Sequence, residues 1–195
     1  PILRRPAMSL RAGAGGPRYA TVAGRDPPAR PCAARPTRTM PHTDLIADIF
    51  AAFAAEGSAF PATTLRGGDA LDRDQPAPPF DVLVDAVSDA YLEAHPWGSG
   101  YLDATSWRHY LPFMMAYALR HLAQPGDVAD ALLTSLRPPD RNPPRLGSLS
   151  KAQETAVLRF LDVLAYSDAS SSRDLAALVL SEWWTPGEIP KELDD

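Results

Sequence analysis

Residues 107–121 read W-R-H-Y-L-P-F-M-M-A-Y-A-L-R-H. From Tyr110 to Leu119 no residue is charged, so a helix here is apolar around most of its circumference, as a central buried helix is. Asp103 and Thr105 are candidate caps at its start. Pro112 admits two courses: one bent unit, or two abutting helices with the proline in the first turn of the second. Arg108 and Arg120 hold the apolar run well below the ~18–20 residues that cross a bilayer, so no membrane role is expected.

Upstream, the net charge of −5 conceals two unlike parts. Residues 1–39 carry eight Arg against Asp26 alone, a net of +7, while the remainder carries eleven basic and twenty-three acidic side chains, a net of −12. The arm is rich in Arg, Pro, Gly and Ala and lacks the large apolar groups that offset the entropy of ordering, so disorder is expected there. Composition changes abruptly at Met40. That change favours translated upstream sequence over a transit peptide or a nucleic-acid arm, and a nucleic-acid role is entertained only if the arm is native. Arg4-Arg5 is not followed by an apolar h-region, which argues against export and for a cytoplasmic protein. Cys32 has no partner for an internal disulfide. The expected organisation is an arm over 1–39, a domain over 40–187 and an acidic tail over 188–195.

Within the domain, Thr43 is a candidate cap for a helix with Ile46, Ile49, Phe50 and Phe53 at i, i+3, i+4 and i+7. Residues 58–79, with Gly67-Gly68 and four prolines, read as one long connection. The next helix is expected from Phe80 to Ala94, with Leu83, Val84, Val87 and Tyr91 inward. Asp81, Asp85 and Asp89 then form an outward acidic stripe. Asp127 is placed as the cap of a helix that buries Val128, Leu132, Leu133 and Leu136, with Pro138-Pro139 stopping it. Ser150 and Gln153 have capping-box spacing, and the helix they open buries Val157, Phe160, Leu161 and Leu164. A last helix follows Ser170–Ser172, with Leu175, Leu178, Val179 and Trp183 inward. Adjacent helical positions point about 100° apart, so Trp184 is expected partly exposed. No alternating β-branched stretch offers a strand. The fold expected is all-α, a single irregular bundle of about six helices around the central apolar one.

Chemistry is sparse. His109 and His121 lie twelve residues apart, roughly 18 Å along an unbroken helix, and no H-x-x-x-H, C-x-x-C or E-x-x-H spacing is present. Neither a metal nor a cofactor is expected. A triad of His109, Asp103 and Ser99 or Ser106 has no nucleophile turn to support it, and Gly67-Gly68 lacks the Lys-Ser or Lys-Thr of a phosphate loop. Asp103, Arg108, His109 and Tyr110 remain as the polar rim of a ligand pocket, in competition with a purely structural role where the helix emerges into water.

Four stretches carry a resemblance: Y-L-P-F-M-M-A-Y-A-L (110–119), L-L-T-S-L-R-P (132–138), L-S-K-A-Q-E-T-A-V-L-R-F-L (149–161) and the closing E-W-W. In this order they resemble a bacterial family, domain of unknown function 6714, over roughly Ile46 to Trp184. The arm before Met40 and the Gly/Pro-rich 58–79 depart from it. The family carries no established activity, so the resemblance implies a small bacterial helical protein starting near Met40 and assigns no catalytic residue. The expected function is non-enzymatic binding of a protein partner, basic in charge, through Asp81, Asp85, Asp89 and Trp184, as an accessory or immunity protein does. The alternative is a small-ligand binder or enzyme with its pocket at Asp103–Tyr110.

Overall fold

The central helix forms without a break. In a computed structural model describing residues 42–58, 60–137 and 144–184, the fourth helix spans Ala104–Arg120 and runs straight through Pro112. Asp103 is its N-cap, accepting from the amides of Thr105 and Ser106. Eleven of its seventeen residues are buried, and Met114 to Leu119 are buried without exception. That is more than one full turn, so the helix is enclosed on every side. Enclosure is what retains it across a proline that removes one backbone bond and clashes with the preceding turn.

In chain order the α-helices are α1 (Thr43–Ala52), α2 (Leu65–Asp72), α3 (Asp89–Ala94), α4 (Ala104–Arg120), α5 (Asp127–Ser135), α6 (Lys151–Tyr166) and α7 (Arg173–Val179). Short 3-10 segments follow α1 and α3 and precede α6, and a π-helical turn, Leu180–Trp184, follows α7. The fold is therefore all-α, with seven α-helices and no strand among the described residues, all of which belong to the compact unit Thr39–Asp195. Helix α4 packs against α1, α5 and α6, and α7 closes over α5 and α6. Their shared core includes Ile49, Trp107, Tyr110, Leu132 and Phe160. The capping box of α6 forms as its spacing requires: Ser150 Oγ accepts from the Gln153 amide and the Gln153 side chain accepts from the Ser150 amide. Expectations for residues 1–39, Pro138-Pro139 and the tail 188–195 lie outside the described residues.

Four expectations are corrected. The stretch 58–79 is not one connection, because α2 lies within it, capped by Thr64 Oγ1, which accepts from the Gly67 amide at 2.9 Å. Gly67 and Gly68 each weaken a helix by about 1 kcal/mol; Gly68 sits inside this one because its neighbour is backbone, whereas a Cβ on Gly67 would meet only the side chains of Thr63, Thr64 and Ala77 at 3.3–3.4 Å. A Cβ on Gly68 would fall on the Gly98 carbonyl, and one on Gly98 would fall on the Leu65 carbonyl. Second, no helix spans 80–94: α3 begins only at Asp89, with Ser88 as its cap. Third, Gly126 rather than Asp127 is the N-cap of α5, and α1 starts at Thr43 behind His42 with no side-chain cap. Fourth, Trp184 is the buried tryptophan, 3 % exposed, its indole N–H donating to the Leu136 carbonyl at 3.0 Å. The π-helical turn, with its wider i→i+5 pitch, shifts the register so that Trp183 lies half-exposed, and Leu178, within α7 ahead of that turn, faces outward rather than inward.

Candidate functional site

Among the described residues, the segment between α2 and α3 holds both the most buried carboxylate, Asp85, and the most exposed large apolar side chain, Leu83. At the end of α2 the chain reverses through Asp74, whose φ of 56° is left-handed, a region Asp tolerates better than most residues. The return leg runs back beside α2, with Pro79 reaching Arg66, whose Nη2 donates to the Pro79 carbonyl at 3.3 Å. Residues 81–85 then close a single tight turn. The amides of Val84 and Asp85 both donate to the Asp81 carbonyl, and the Leu83 amide donates to Asp81 Oδ1 at 2.9 Å.

The turn is clamped from within. The Asp85 side chain is fully buried and accepts four hydrogen bonds. Arg66 Nε donates to Oδ1 at 3.0 Å and Nη2 to Oδ2 at 2.8 Å, a bidentate fork. The Tyr91 hydroxyl donates to Oδ1 at 3.1 Å and the Asp81 amide to Oδ2 at 2.8 Å. Burial works to raise the Asp85 carboxyl, but Arg66, the Asp81 amide and Tyr91 together hold it below the ordinary Asp range. The Tyr110 phenol is pushed far up by burial, with Tyr91 and Asp85 adding to the effect, and its enclosed hydroxyl, close to Tyr91 and the Leu65 backbone, makes no hydrogen bond of ordinary geometry among the described residues.

With Asp85 turned inward, the neighbouring side chains turn out. Val82, Leu83 and Val84 are 63 %, 89 % and 51 % exposed, and Phe60, 74 % exposed, stacks on Phe80 with ring centroids 4.5 Å apart. These residues form an apolar ridge on the surface. Asp81, Asp85 and Asp89 therefore make no stripe: Asp81 is exposed in the ridge, Asp85 is interior, and Asp89 pairs with Arg120 and, at 3.3 Å, with His121 Nε2.

The four residues of the expected pocket do not converge. Asp103 spends its carboxylate on Thr105 and Ser106, including the Ser106 hydroxyl at 2.6 Å. Arg108 Nε donates to Glu56 Oε1 at 3.0 Å, an oxygen that also accepts from Gln153 Nε2 at 3.2 Å. His109 Nδ1 lies 3.3 Å from the Glu56 carbonyl oxygen, and Tyr110 is interior. His109 and Asp103 share no bond, so the imagined triad is not assembled. The Glu56 hub instead ties the turn after α1 to α4 and α6.

The remaining histidine of note, His95, binds Asp69 Oδ2 through Nδ1 at 2.6 Å, and Tyr101 donates to Asp72. Both contacts fasten α2 to the segment Pro96–Tyr101. Among the described residues no group of three or more His, Cys, Asp or Glu side chains is placed to hold a metal, and no helix is long and apolar enough to cross a membrane.

Sequence reasoning missed Arg66, Phe60 and the outward course of Val82–Val84. One signal was available: three consecutive large apolar residues cannot all face the core from one short helix.

No match was found among curated proteins or among solved structures. The sequence profile of a family of unknown function, DUF6714, matches residues 41–188. The match takes in every helix and the ridge, and the chain belongs to the DUF6714 family.

Proposed function

We propose that this DUF6714 member is a non-enzymatic bacterial protein of the cytoplasm that works by binding another protein, as an accessory or immunity protein does. One observation carries the reading: an apolar ridge held outward by a buried, four-fold hydrogen-bonded carboxylate. Scattered exposed apolar residues are ordinary, whereas a contiguous group marks a contact surface. The turn beneath the ridge has its own backbone bonds, so little ordering entropy is lost when a partner covers it. Asp103, Arg108 and Tyr110 are engaged in capping, ion pairing and core packing, which leaves the ligand-pocket alternative with less support.

The test is site-specific photocrosslinking in the cell of origin. A photoreactive side chain at position 83 should give one dominant protein adduct, while the same group at exposed Thr155 on α6 should not. Equal adduct patterns from both positions would refute the reading.

A further inference from the structure

We infer that the ridge Phe60/Val82–Val84 receives a cationic amphipathic segment of the partner protein, apolar side chains on the ridge and Lys or Arg around them. The inference rests on the protein-binding reading above and adds the chemistry of the partner. Residues 69–93, the stretch that carries the ridge, hold seven carboxylates against Arg73 as the single basic side chain. Asp85 is neutralised internally by Arg66 and Asp89 by Arg120, and Asp69 is bonded to His95, which leaves Asp74, Asp81 and Asp72, the last also accepting from Tyr101, as the exposed carboxylates near the ridge. Asp81 lies within the ridge itself.

The α2 reversal places the other two at the far end of the helix from Arg66. Asp72, six residues beyond Arg66 in α2, lies roughly 9 Å from it along the axis at 1.5 Å per residue, and Asp74 follows just past the helix end. That distance matches two turns of a docked helix, so apolar side chains seated on the ridge leave basic ones at i+7 over Asp72 and Asp74. A separation of this order is comparable with the ~8 Å screening length at physiological salt, and the carboxylates then select charge as well as steer approach.

The test measures binding of fluorescent 18-residue amphipathic peptides to the full chain by anisotropy. One peptide is Leu/Lys, and a neutral counterpart is Leu/Gln. The Leu/Lys peptide should bind at least about tenfold more tightly than Leu/Gln, and Leu83→Asp should weaken it at least about tenfold, although that variant adds a negative charge. Leu83 is surface, and far-UV circular dichroism of Leu83→Asp should match the parent.

If Leu83→Asp binds Leu/Lys as tightly or more tightly, bulk charge alone attracts the peptide and the inference falls. If Leu/Gln binds equally well in a Leu83-dependent way, the ridge docks apolar segments without selecting basic ones; the inference falls while protein binding stands. If neither peptide binds, the inference falls and crosslinking at position 83 decides the broader reading separately. Leu83-dependent binding to phosphatidylcholine vesicles would assign the ridge to a lipid surface, and Leu83-dependent self-association in sedimentation equilibrium would assign it to a second copy. Either result overturns the inference.

Discussion

Replacing Arg66 with Ala tests the clamp that sets the ridge. The substitution removes both arms of the guanidinium fork and leaves the Asp85 carboxylate fully buried with only the Tyr91 hydroxyl and the Asp81 amide. Breaking a buried pair from one side costs about 3–5 kcal/mol. The Arg66 side chain is 26 % exposed, so water reaches one side of the pair, and the expected loss at pH 7 is about 2–3 kcal/mol. In urea denaturation this appears as a lower midpoint at unchanged slope, and in thermal melts as a fall of roughly 5–10 °C.

Acid adds a second signature. In the parent protein Asp85 is held below its ordinary range, so its stabilisation is present above the unfolded value near ~4 and is lost as pH falls through the depressed one. In Arg66→Ala, burial is left unopposed by a positive charge and raises the carboxyl. The deficit of the variant relative to the parent therefore shrinks as pH falls from the raised carboxyl value of the variant towards the depressed value of the parent, because Asp85 takes a proton in the variant first. Arg66→Ala/Asp85→Ala should be less destabilised than the sum of the single variants by about 1–2 kcal/mol. Additive single effects, or a loss below about 1 kcal/mol that is flat with pH, would refute the clamp.

Gly68→Ala should destabilise by at least about 2 kcal/mol, since its Cβ meets backbone that cannot yield. Gly100→Ala, which meets nothing within 4 Å, should stay within about 0.5 kcal/mol in the same urea series; equal effects would refute the interlock of α2 with Pro96–Tyr101. Tyr110→Phe removes a buried hydroxyl that makes no hydrogen bond of ordinary geometry among the described residues, so calorimetry should find it neutral or stabilised by up to about 1 kcal/mol, and a loss beyond about 1 kcal/mol would mean that its approach to Tyr91 and the Leu65 backbone is a working hydrogen bond. Ser150→Ala should cost about 1 kcal/mol, with hydrogen-exchange protection lost first in the opening turn of α6. Loss spread evenly along α6 would show that the box does not hold its end.

What could be read from the chain and what could not divide along sequence separation. The determinants of α4, α5 and α6 are local: uncharged residues from 110 to 119, a capping box closed within four residues, apolar positions at helical spacing. Each came out where the pattern put it, because a solution that is good over one turn was also good in the core. The failures between 58 and 94 form one chain of consequence. Two glycines conceal α2, since their cost in a helix is visible locally while the close backbone approach that requires glycine at Gly68 comes from Gly98, thirty residues away. Without α2 there is no placed Arg66, and without Arg66 an aspartate belongs in water. The sequence pattern therefore turns Asp85 outward and Leu83 and Val84 inward, the reverse of the structure, because a fork from nineteen residues upstream offsets the burial of the carboxylate and the valines of this run lose little by leaving a helix they fit poorly. The ridge was hidden for the same reason that it is informative. A short apolar run reads as core until a specific, distant residue claims the charge beside it.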